Sequence, residues 1–209
     1  MNPLWGDTRV LYTVFVGLAA AARLLELRIA SRNRQLLLAR GAVEVGAGHY
    51  PWMVLLHTAW LLACPLEVWL LGRPFVPVLA IFSLVAFLGA MALRYWVIAS
   101  LGGRGGRWTT RILVLPGSAP VATGPYRFTR HPNYLAVIVE IASLPLIHTA
   151  WWTAVGFTVA NALLLRLRIR TEERALTELS SYGEVFAGRP RFLPGRSGFS
   201  GLPAERDPR

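Results

Sequence analysis

The stretch 123-TGPYRFTRHPNYLAVIVE-140 runs from a Gly-Pro turn through an aromatic, arginine-rich collar straight into an apolar segment. Arg130, His131, Asn133 and Tyr134 set protonatable or cationic groups, an amide and a phenol beside a proline at the mouth of a hydrophobic helix. Such a concentration of polar chemistry at a membrane boundary is costly unless something binds there. A second polar piece, 168-RIRTEERAL-176, follows after a long apolar interval.

That interval decides the fold. Leu135 to Ile147 is apolar except for Glu140 and includes Pro145; His148-Thr149-Ala150 reads as a turn; Trp151 to Leu167 is apolar again apart from Asn161. As a helix, the arm from Tyr134 to His148 is about 22 Å long, short of a hydrocarbon core roughly 30 Å thick. Residues 134–167 therefore form a helical hairpin, either tight in a thinned bilayer or re-entrant. A hairpin returns the chain to the side on which it began. Arg130 to Tyr134 and Arg166 to Glu173 are thus predicted to share one membrane face, and Asn133 and Glu140 one side of their helix.

Composition supports a bilayer as the solvent. Hydrophobic residues make up 54% of the chain, in runs too long for a soluble globule. All 22 basic residues are arginine and the formal net charge is +11. The arginines cluster at the ends of apolar runs, which fits topology and anionic headgroups and argues against nucleic acid as a partner. Cys64 is the single cysteine and there are 4 histidines, scattered over different segments. An intrachain disulfide is excluded and no metal centre is predicted.

The amino-terminal half supplies three spans: Arg9 to about Ile29, Trp52 to Leu71 and Phe75 to Ser100. Arg23, Glu26 and Arg28 close the first span as headgroup anchors at helical spacing. Val10 to Ala22 resembles a signal-peptide core but continues as a helix, so it is taken as a retained anchor. Residues 31–51 are expected to lie along the interface as a polar connector. The second span carries His57 and Glu67, about 280° apart around a helix, so they do not share a face. Arg94, Tyr95 and Trp96 fit an interfacial belt. Residues 102–122, rich in glycine and arginine, read as a flexible connector.

The expected fold is all-α: a polytopic membrane bundle of about five segments ending in a charged helix to about Ser180. Residues 1–100 form the amino-terminal spans, 101–196 the region that carries the chemistry, with 182–195 as an ordered loop, and 197–209 a flexible tail. Arginine-rich loops on one face give an outside amino terminus and a cytoplasmic carboxyl terminus and collar, in the inner cell membrane.

The collar has no Walker loop, Rossmann fingerprint, GxSxG elbow or HExxH. It has arginines to clamp a carboxylate, carboxylates to accept from a diol or ammonium, and aromatic faces that favour a cation. This suits a zwitterionic cofactor such as a sulfonium methyl donor, for which catalysis is chiefly positioning in a dry pocket. Against this, Arg168, Arg170, Glu172, Glu173 and Arg174 also stand at ordinary surface ion-pair spacing.

TGPYRFTRHPNY followed, after a hydrophobic hairpin, by RIRTEERAL resembles the signature of the isoprenylcysteine carboxyl methyltransferase and phospholipid methyltransferase superfamily of integral membrane enzymes. The resemblance covers roughly the carboxyl-terminal half and implies S-adenosylmethionine as cofactor. It implies that Val121, Gly124, Tyr126, Arg130, His131, Pro132, Asn133, Tyr134, Glu172 and Glu173 hold that cofactor, with Arg130, His131 and Glu173 catalytic. The chain departs from the pattern at Ser118 to Val121, where many members have His-x-Leu-Val, and at Ala136, where a glycine is common.

The run 32-RNRQLLLARGAVEVGAGHYPWMVLLH-57 is similar to bacterial members associated with type III polyketide synthases, which implies O-methylation of a lipophilic acceptor such as an alkylpyrone or alkylresorcinol-type phenol. Glu44, His49, His57, Glu140 and Arg168 are the candidates for acceptor binding. For a phenol or enol, His131 or Glu173 serves as base; for a carboxylate none is needed. The rivals are an isoprenylcysteine or phospholipid methyltransferase, and a non-catalytic membrane protein that holds anionic lipid.

Overall fold

The computed structural model describes residues 7–102 and 106–192; the expected flexible tail, 197–209, lies outside them. Five principal helices carry the architecture: α1 Thr8–Ala39, α2 Tyr50–Leu70, α3 Pro77–Gly102, α4 Pro132–Leu146 and α5 Trp151–Leu179, with a short α6, Tyr182–Val185, after them. The first three are long and apolar enough to cross a membrane. Exposed Leu18, Leu62, Phe82, Val85, Val159 and Leu163 dress their outer faces and that of α5. Apolar surface on that scale requires lipid around it.

α1 is longer than its apolar run. It continues without interruption through residues 31–39, which were expected in the interfacial connector, and ends near Gly41 at φ 85°. The physical reason is local: Asn33 to Arg40 is mostly strong helix formers, and the first residue suited to a left-handed exit is that glycine.

The connectors hold a further correction, to the all-α expectation. Strands β1 (Val43–Val45) and β2 (Ile112–Val114) pair antiparallel, with Glu44 opposite Leu113. Ile112 and Val114 bury against Ala175, Leu176 and Leu179 of α5. The segment read as a flexible connector is therefore partly an ordered ribbon clamped to the carboxyl-terminal helix.

α4 is the centre of the bundle, packed between α3 and α5. Its inner face, Val137, Ile141 and Leu144, meets Tyr12 and Val16 of α1, Trp60 and Cys64 of α2, and Phe87 of α3. Pro145, inside α4, has no N–H for the carbonyl of Ile141 four residues earlier. Trp60 Nε1 donates to that carbonyl at 3.2 Å, and Tyr12 Oη donates to the carbonyl of Leu144 at 3.2 Å. Two side chains from other helices thus satisfy backbone acceptors that a buried helix end would strand.

The hairpin turn is held from α2. Glu67 accepts from the backbone N–H groups of Trp152 (3.2 Å) and Thr153 (2.6 Å), from Thr153 Oγ1 (2.7 Å) and from Arg73 Nε (2.8 Å). Ala150 precedes α5 with no side-chain cap of its own, so a carboxylate from α2 takes the role of an N-cap. Glu67 does not reach out to water.

The interfacial-anchor reading of Arg23, Glu26 and Arg94 is overturned. Arg94 is 7% exposed while its neighbours Tyr95 and Trp96 are 48% and 45%; the arginine turns inward and the aromatics outward. Arg94 Nε donates to Glu140 Oε1 at 2.9 Å, with a second bond from Nη2 to Oε2. Arg23 Nη2 lies 2.8 Å from Glu140 Oε1, and Glu26 pairs with Arg23 and stands 3.8 Å from Arg94 Nη1. Charges at this depth are kept because each faces an opposite one.

Candidate functional site

The α4–α5 hairpin brings the two polar pieces together at one end of the bundle. His131, the residue before α4, places its Nε2 3.0 Å from Glu173 Oε1 on α5, and its ring stacks on Tyr134 with centroids 5.3 Å apart. Tyr134 Oη donates to Glu172 and accepts from Arg168 Nε at 2.7 Å. Arg168 also donates to the carbonyl of Thr110 at 2.6 Å. Three segments distant in sequence are tied by one polar chain.

The segment after α6 closes the site. The N–H groups of Arg130 and His131 donate to the carbonyls of Pro190 (3.0 Å) and Arg191 (3.1 Å), and Thr129 Oγ1 donates to the latter at 2.5 Å. Arg189 Nη1 donates to the carbonyl of Tyr126 at 2.8 Å while its guanidinium lies over Phe186. The part of the expected ordered loop that is described, 182–192, is indeed fixed in place.

Between this segment, the ribbon and α5 lies a cavity of about 160 Å³. Five of the ten expected cofactor residues line it: Val121, Tyr126, Arg130, His131 and Glu172. Apart from Ser118 and Pro120, its remaining wall comes from residues the sequence did not single out, among them Leu37, Arg107, Leu113, Leu176, Tyr182 and Phe186. The i, i+4 aromatic pair of Tyr182 and Phe186, rings 4.8 Å apart, is the one local signal that marked them. Adjacent residues on a helix point about 100° apart, so Glu173 leaves Glu172 and faces a second, open cleft of about 660 Å³; Arg130 borders both.

Several expected residues have other duties. Gly124, at φ 63°, sits where a Cβ would be 2.1 Å from Ser100 Oγ, so close approach to α3 explains the glycine. Pro132 occupies the first turn of α4. Asn133 Oδ1 is buried without a partner.

The five acceptor candidates do not assemble. Glu44 is held by Arg34 Nη2 at 2.9 Å and Arg111 Nη1 at 2.5 Å, His57 Nδ1 meets the carbonyl of Met53 at 2.8 Å, and Glu140 belongs to the buried ion network. His49 packs over Gly46, and Arg168 is spent in the polar chain. None of the five lines either cavity.

The electrostatics follow from packing. Burial would raise the Glu173 carboxyl, but hydrogen bonds from Arg191 (2.6 Å) and His131 outweigh it and hold it below the ordinary value. Glu44 is likewise lowered by Arg111 and Arg34 against its burial. The Tyr126 phenol is pushed up by burial and by the charge of Glu172, and that of Tyr182 by burial, Glu173 and Glu172. Burial and the charge of Arg168 push His49 down. No group of three or more potential metal ligands occurs among the described residues.

Long apolar helices, with a cavity at the base of a helical hairpin, mark an integral membrane protein. The model of the isoprenylcysteine carboxyl methyltransferase (ICMT) family, a methyltransferase family, matches residues 81–178. A Bacillus subtilis relative described as uncharacterized protein YpbQ is 37% identical over 171 residues, 81% of this chain and 99% of the relative. An uncharacterized protein of Haemophilus influenzae is 30% identical over 160 residues, 76% of this chain and 91% of its own length. The family match covers most of α3, the hairpin and the carboxylate pair.

Proposed function

We propose that this chain is a methyltransferase that uses S-adenosylmethionine to O-methylate a lipophilic acceptor of the alkylpyrone or alkylresorcinol phenol type. The match to the ICMT family supports the methyl-transfer chemistry. The observation that carries the cofactor reading is Arg130 Nε, buried without a hydrogen-bond partner on a residue that lines the smaller cavity. Buried donors of this kind are expensive unless a ligand completes them.

The donor set matches the charges of the cofactor, of which a cavity of about 160 Å³ takes only part, small-molecule sites being roughly 300 Å³ or more. Arg130 is the residue to hold its carboxylate, Glu172 and the Tyr126 ring to face its cationic part, and Leu113 and Leu176 to bury its apolar surface. When bound, S-adenosylmethionine supplies an electrophilic methyl group on a sulfonium. His131 is oriented through Nε2 by Glu173, and no hydrogen bond among the described residues engages Nδ1. His131 Nδ1 is therefore the atom to take the hydroxyl proton of a phenolic acceptor. The charge left on His131 is stabilised by Glu173, which stays ionised.

The site faces the cytoplasm and the amino terminus lies outside, in the cell membrane, because arginine is rich in the loops on the site's side. Calorimetric titration of the purified chain with S-adenosylmethionine and its demethylated product tests the cofactor. Saturable binding that drops at least about tenfold in Arg130→Ala and Glu172→Gln is expected; no binding in the parent ends the proposal. Labelled cofactor incubated with a host lipid extract identifies the acceptor, and methylation confined to a phospholipid or a prenylated peptide excludes the phenol.

A further inference from the structure

The larger cleft is cationic beyond what the methyl-transfer site needs. Arg130, Arg170, Arg174, Arg189 and Arg191 line it against Glu173 and Glu178, a formal excess of three positive charges in a concave surface. Arg191 is engaged by Glu173 and Arg189 by a backbone carbonyl. Arg174 pairs with Glu178 at 2.8 Å, both well exposed, and such a pair yields readily to a better anion. Arg170 makes no ion pair among the described residues, whereas Arg130 Nη1 lies 3.4 Å from Glu173 Oε1.

Depth along the bundle says what meets this cleft. Arg170 lies about 28 Å along α5 from Trp151, close to one hydrocarbon thickness, and Glu178 about 12 Å further. Arg170 and Arg174, one turn apart on one face, therefore stand at the level of the lipid phosphates. Concentrated guanidinium groups match phosphate oxygens in geometry as well as charge, and a concave cationic surface focuses the field on such a ligand. We propose that the cleft between α5 and the 182–191 segment binds a phosphate group, carried by an anionic phospholipid headgroup or by a soluble phosphate monoester. Arg130, Tyr182 and Phe186 form a wall shared with the cofactor cavity, but Arg170 and Arg174 line only the larger cleft, so the proposal does not depend on the methyl-transfer reading.

The test uses the full chain in neutral detergent, titrated calorimetrically with short-chain phosphatidylglycerol and, separately, with glycerol 3-phosphate. The double variant Arg170→Ala/Arg174→Ala strips the outer cleft, and both side chains are exposed enough for the fold to survive, which a melting curve checks. Arg28→Ala/Arg32→Ala, at two exposed positions of α1, removes the same charge elsewhere. One-site binding weakened about tenfold or more in the cleft variant, and within about twofold of the parent in the α1 variant, is the expected result. Saturation by phosphatidylglycerol alone assigns the ligand to the bilayer; saturation by glycerol 3-phosphate as well assigns it to a soluble compound. Absence of saturable binding by either probe, or equal losses in the two double variants, overturns the proposal.

Discussion

Two assemblies of arginine and carboxylate lie at either end of α4's first two turns, roughly 12 Å apart along the helix, and they are built on opposite plans. Around Glu140, two arginines face two glutamates inside the bundle, and their formal charges cancel. Around Glu173, Arg130, His131 and Arg191 crowd one carboxylate beside a cavity. The inner set leaves one atom unpaired, Glu26 Oε1; in the outer set Arg130 Nε is buried without a hydrogen-bond partner. The same residue types are thus used once to fasten helices and once to line a void. Neutrality and closure distinguish the first use, excess charge and a void the second.

The contrast breaks most sharply at Arg94. Arg94→Met leaves Glu140 and Glu26 short of a counter-charge in the bundle, and a loss of about 3–5 kcal/mol is expected, read as a collapse of melting temperature in detergent. Adding Glu140→Met restores most of it, since a neutral apolar pair replaces a broken ionic one. If Arg94→Met melts like the parent, the inner assembly is not a fastening. Glu67 offers a second fastening of the same kind: Glu67→Ala strips the acceptors from two α5 amides and is expected to cost about 1–3 kcal/mol, by thermal unfolding.

At the outer assembly, acid is the probe. The folded Glu173 carboxyl lies below the ordinary value, so its stabilising contribution is fully present above the unfolded carboxylate pKa, about 4.3. It is lost as pH falls through the depressed folded value. A melting temperature that declines with acid in the parent and less steeply in Glu173→Gln is expected; parallel curves would detach Glu173 from its partners. The smallest effect belongs to Arg174, whose ion pair with Glu178 is solvent-exposed. Arg174→Ala is expected to leave the melting curve unchanged.

Much of the fold was legible. Long apolar runs marked the spans, and the shortness of the 134–148 arm with its turn at His148 gave the hairpin and hence the meeting of His131 with Glu173. Tyr182 to Phe192 was correctly expected to be ordered. The β1–β2 ribbon was not legible, because three-residue strands carry no usable period and their partners are some 70 residues apart. Arg94 was misassigned because its aromatic neighbours suggest a belt, while the side of α3 on which it lies is decided by Glu140 on another helix. Glu44, His57 and Glu140 were drawn toward substrate binding by being ionisable near a span, and each proves to be held by a neighbour.

By itself the sequence determined the solvent of this protein, its helical hairpin and the end of the bundle where the polar chemistry gathers, because apolar run length against bilayer thickness is a one-dimensional quantity. The tertiary structure alone decided which charges close upon each other and which border a cavity. Pairing depends on side-chain direction across helices, where an approach of a few ångströms separates a satisfied ion from a binding site.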